Sequence, residues 1–63
     1  MARKSLAYTV ISPSGLNLRE QPSMDARVLR VLSEGELIKA ANIKAPDGWT
    51  AVEDGFVRSE YIK

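Results

Sequence analysis

At 63 residues with a net charge of +1, no cysteine and no histidine, the chain is one small domain without disulfides, thiol chemistry or the usual zinc ligands. A domain this size buries only about 60% of its unfolded surface, which leaves little room for a deep two-walled active-site cleft. Acidic and basic residues are interleaved along the chain, so no field singles out nucleic acid or an anionic membrane surface as a partner.

The chain opens with a basic leader over residues 1–5. Leu6 to Ile11 follows as a first strand rich in β-formers. Tyr8 and Thr9 interrupt the apolar run, Ser12-Pro13 stops it, and no small-residue cleavage site follows a continuous hydrophobic core. A signal peptide is therefore not expected, these residues read as cytoplasmic, and nothing is long enough to span a membrane. Ser12-Pro13-Ser14-Gly15 is a turn cluster.

Gly15-Leu16-Asn17-Leu18-Arg19-Glu20-Gln21-Pro22 then carries the clearest strand signal. Leu16 and Leu18 would lie on one face of a pleated chain with Asn17 and Arg19 on the other, and Pro22, lacking an amide hydrogen, ends the run. From Asp25 to Leu32 the periodicity permits a helix. Val28 and Val31, Arg27 and Arg30, and a turn at Ser33-Glu34-Gly35 favour a short bulged strand instead.

Glu36 to Ala41 reads as another strand, with Ile38 and Ala40 inward and Lys39 outward. Asn42 to Gly48 is a polar loop whose Pro46-Asp47-Gly48 is a strong turn signal. Trp49 to Glu53 is a strand, Asp54-Gly55 a tight hairpin turn, and Phe56-Val57-Arg58 the returning strand. Ser59-Glu60-Tyr61 reads as a single helical or 3₁₀ turn before a last apolar contact from Ile62. About five or six short antiparallel strands in so short a chain remove their exposed edges by curling into a small barrel, so the fold class is all-β.

Four groups of residues, in order, resemble the bacterial SH3-type domain: Gly15-Leu16-Asn17-Leu18-Arg19 with Pro22-Ser23; Val28-Leu29 with Leu32 and Gly35; Gly48-Trp49 with Val52; and Gly55-Phe56-Val57 with Ser59-Glu60-Tyr61-Ile62. The resemblance covers Tyr8 to the C-terminus over residues 6–63 taken as the domain, and it implies an SH3-like barrel. Phe56 stands where that family commonly has a second tryptophan, and the hairpin is shorter than usual. The eukaryotic peptide-binding SH3 domain shares the Ser59-Glu60-Tyr61-Ile62 type of ending. Arg58 replaces its proline, however, and its acidic tyrosine-containing loop is missing, which disfavours a proline-rich ligand.

No constellation points to an enzyme. Glu20, Asp25, Asp47, Glu53 and Asp54 have no partner base or nucleophile at a telling spacing and read as solvated turn residues. Arg27 with Arg30, or Lys39 with Lys44, could line a nucleic-acid groove, but the interleaved acids argue against phosphate tracking. No cofactor or metal is expected.

The residues instead suggest a shallow groove of Tyr8, Trp49, Phe56 and Tyr61 with Asp47 and Glu60 at its rim. Each has a plainer role: Trp49 is either a ligand platform or a cap on one end of the barrel, and Tyr8 and Tyr61 are expected to seal barrel ends. Asn17 is expected to bond loop backbone and Arg19 to pair with a carboxylate. The resemblance implies a non-catalytic module that docks a short peptide such as a peptidoglycan stem peptide at the cell wall. The alternative is a free-standing intracellular, phage or mobile-element adaptor for another protein, or for a second copy of itself as a weak oligomer.

Overall fold

The structure is a computed structural model that describes residues 7–63. The leader over residues 1–5 and Leu6, expected to start the first strand, lie outside the described residues. Six strands follow in order: β1 (Ala7–Thr9), β2 (Leu16–Arg19), β3 (Val28–Leu32), β4 (Leu37–Lys39), β5 (Trp49–Val52) and β6 (Gly55–Arg58), then a 3₁₀ turn at Ser59–Tyr61. All pairings are antiparallel. The all-β class and the 3₁₀ turn near the C-terminus are as expected.

The strands form a four-stranded sheet, ordered β3-β2-β6-β5, and a two-stranded sheet, β1-β4. Two isolated bridges join them into a small barrel. Ala40 pairs with Val52, extending β4 along β5, and Val10 pairs with Ile62, extending β1 along the C-terminal tail. Paired backbone bonds between Thr9 and Lys63, at 2.9 and 3.0 Å, fasten that second seam.

Alternation in β2 sets the inside. Leu16 and Leu18 are buried with Val10, Leu32, Ile38, Val52 and Val57 in one cluster, against which Tyr8 and Ile62 pack. Asn17 and Arg19 face outward, as the spacing required. The β3 segment is a bulged strand rather than the helix its periodicity also allowed. Leu18 pairs with Arg30 and Arg19 with Val28, so Leu29 is the extra residue of the bulge.

Turn chemistry also follows the sequence at Pro46–Trp49. The Trp49 amide donates to the Pro46 carbonyl at 3.0 Å, and Gly48, third in the turn, has φ +88°, a value that favours glycine. Strand limits are tighter than expected, with Ile11 outside β1 and Glu36 and Ala41 outside β4.

The β5–β6 hairpin corrects the sequence reading. Val52 pairs with Gly55, so the turn residues are Glu53 and Asp54, not Asp54 and Gly55. Gly55 belongs to β6 and is needed for a different reason: a Cβ there would collide with the carbonyl oxygen of Arg19 on β2. Absence of a side chain, rather than an unusual dihedral, lets β6 approach β2.

Candidate functional site

The pleat that buries Val57 turns Phe56 and Arg58 to the outer face of the four-stranded sheet. Registers extend this face across the sheet. Trp49 lies opposite Arg58, Ala51 opposite Phe56, Phe56 also opposite Arg19, and Asn17 opposite Val31. Cross-strand partners share a face, so Trp49, Phe56, Arg58, Arg19, Asn17 and Val31 form one continuous outer surface.

Arg58 organises its β5 end. Its guanidinium carbon lies 5.3 Å from the centroid of the Trp49 ring, within cation–π range. One of its nitrogens stands 3.7 Å from Oε2 of Glu60, a loose and largely exposed ion pair. Gly48 lies against the same group: a Cβ there would sit 3.4 Å from Nη1 of Arg58, an ordinary contact. Two further bonds steady the hairpin beneath: the Ser59 amide donates to the Gly48 carbonyl at 2.9 Å, and the hydroxyls of Thr50 and Ser59 are 2.6 Å apart. Trp49 is thus half-buried on the outer face and outside the core cluster.

A shallow depression of about 340 Å³ opens beside this face, between it and the turn before β2, lined in part by Ser12, Asn17, Arg19, Val31, Arg58 and Tyr61. The sequence context suggested that Arg19 pairs with a carboxylate, but among the described residues it pairs with none. Its Nη1 donates to the carbonyls of Met24 and Ala26, both at 2.9 Å, and so holds the loop between β2 and β3. The guanidinium satisfies backbone there without having its charge neutralised. Asn17 is exposed, and among the described residues its side chain makes no bond to loop backbone.

Of the six residues assigned to a groove by sequence, Trp49 and Phe56 share the outer face, Tyr61 lines the depression, and Glu60 reaches Arg58. Asp47 is exposed in the turn before Trp49. Tyr8 lies apart from them. It sits on β1 opposite Ile38 in the other sheet and packs against the core.

Arg58 and Ser12 carry no mark of the site in the sequence, and Arg19 reads there as structural. The misplaced hairpin turn explains the first. A turn at Asp54-Gly55 would put Glu60 opposite Trp49, whereas the turn at Glu53-Asp54 puts Arg58 there.

A smaller depression of about 170 Å³ opens between the sheets where β3 and β4 diverge, lined by core residues Leu18, Ile38 and Val52 and by Arg30, Lys39 and Glu53. Beside it, Glu36 braces the turn after β3. Its carboxylate accepts from the Ser33 amide at 3.0 Å and from Arg30 at 3.1 Å. These bonds, chiefly the one from Ser33, hold its carboxyl below the ordinary value of 4.5. Among the described residues no group of three or more acidic side chains converges as a metal site would require. In comparisons with known proteins, no family model, curated protein or solved structure matches this chain.

Proposed function

We propose that this chain is a non-catalytic recognition module that binds a short peptide, such as a peptidoglycan stem peptide, across the outer face of its four-stranded sheet. The observation that carries the reading is Arg58 held over Trp49 beside the depression lined by Tyr61. A half-exposed tryptophan with a fixed guanidinium offers a flat apolar surface and directed donors at little ordering cost, which is the composition of small-interface anchors. The resemblance to the bacterial SH3-type domain supports the peptide as ligand class.

Sedimentation with purified peptidoglycan tests it. Wild-type chain should pellet with the polymer, and a Trp49→Ala variant that keeps its β-type circular dichroism should lose most of the binding. Wild-type chain left in the supernatant would remove the cell-wall ligand.

A second reading has its own observation. β3 is a terminal strand of the sheet, and Val28, Leu29 and Val31 on it are exposed. An edge of this kind can accept a strand from another protein or a second copy. Concentration-dependent dimerisation abolished by Val31→Lys would favour the adaptor role.

A further inference from the structure

We infer that the depression beside the outer face is a binding site for a peptide carboxylate. This rests on the recognition reading and names the chemistry of its ligand.

Two arginines, Arg19 and Arg58, line the depression and no acidic side chain does. Among the described residues Arg19 is bonded only to the carbonyls of Met24 and Ala26, so no carboxylate there compensates its charge and Nη2 and Nε make no bond. Arg58 meets Glu60 only at 3.7 Å, across the rim rather than within the depression.

Ser12 supplies the second, independent observation. It lines the depression at 7% exposure, and its hydroxyl has no hydrogen-bond partner among the described residues. Among the described residues no side-chain oxygen or nitrogen is both fully buried and unpartnered, so this hydroxyl is reached from outside and can donate to or accept from a ligand in the depression. Two guanidinium groups and a hydroxyl match a planar anion with two acceptor oxygens. Val31 and Tyr61 provide apolar contact for the residue that bears it. The volume of about 340 Å³ lies at the small end of the range for ligand sites and suits a short chain end rather than a folded surface.

The carboxylate could belong to a chain terminus or to an acidic side chain, and three blocked tripeptides separate these sources. Backbone-amide NMR spectra of the full chain would be recorded during titration with N-acetyl-Ala-Ala-Ala bearing a free C-terminus, with its C-terminal amide, and with N-acetyl-Ala-Glu-Ala amide. Inorganic phosphate serves as a generic anion. At least one carboxylate peptide should give saturable shifts at Ser12 to Asn17, Arg58 and Tyr61, with affinity about tenfold or more above that of the uncharged amide. Arg58→Gln should weaken it by a similar factor and Ser12→Ala by about threefold to tenfold, both with wild-type spectral dispersion.

Equal affinity for acid and amide, shifts confined to other residues, or phosphate binding the same residues as tightly as the carboxylate would overturn the inference. So would unchanged affinity in a folded Ser12→Ala variant, which keeps the test open if Arg58→Gln fails to fold. Binding of the amide alone at Trp49 and Phe56 would leave the recognition reading standing without a carboxylate site. The peptidoglycan experiment judges that broader reading separately.

Discussion

β6 and β3 both flank β2, yet they are built for different work. β6 is paired on both sides, contributes fully buried Val57 to the core, and uses Gly55 to press against β2. β3 is paired on one side, and only Leu32 of its five residues is buried. β3 is the more apolar of the two, yet only the less apolar β6 is held between two neighbours, while β3 leaves valine and leucine at a free edge. Pairing on both sides, rather than hydrophobicity, decides which strand the fold depends on.

Paired truncations give the largest contrast. Leu18→Ala, in fully packed β2, should cost about 2–5 kcal/mol and unfold at much lower denaturant, whereas Leu29→Ala at the β3 bulge should change stability by less than about 0.5 kcal/mol. Equal losses in urea titrations would break the contrast.

Next comes Gly55→Ala. Its new Cβ meets backbone, which cannot swing aside as a flexible side chain would, so β6 must retreat from β2. A loss of about 1–3 kcal/mol is expected, read as a shifted denaturation midpoint, and a neutral result would mean that the two strands are less closely apposed.

The smallest effect is at Glu36, beside β3. Because the folded carboxyl titrates below its ordinary 4.5, its contribution is present above that pH and lost as pH falls through the lowered value. Glu36→Gln should lower Tm slightly at neutral pH, with the difference from wild type shrinking in acid. A difference that grows in acid would reverse the assigned sign.

The barrel was legible wherever local chemistry leaves few options. Leucines two residues apart fixed the inside of β2, Pro46-Asp47-Gly48 marked the turn into β5, and the β-branched content of β3 identified a strand against a permitted helix. Local signals were insufficient where a residue answers to a distant neighbour. Gly55 looked like a turn glycine because the carbonyl of Arg19 that excludes a side chain is remote in sequence. Arg19 looked like half of an ion pair, while its partners are carbonyls that come within reach only once the loop folds back.

The candidate site was legible in part for the same reason. Trp49 and Tyr61 stand out by type, but the residue across from Trp49 depends on where the hairpin turns, and a shift of one position in that turn hides Arg58. Tyr8 is an aromatic of similar appearance whose strand belongs to the other sheet. Sequence carries no local mark of which sheet a short strand will join.

Chemical-shift mapping with soluble peptidoglycan fragments tests recognition by the outer face most directly. The expected result is a set of saturable perturbations centred on Trp49, Arg58 and Tyr61, with Tyr8 and Ile38 unmoved. Perturbations centred on Tyr8 and Ile38, with Trp49 and Arg58 unchanged, would place recognition on the opposite sheet and contradict it.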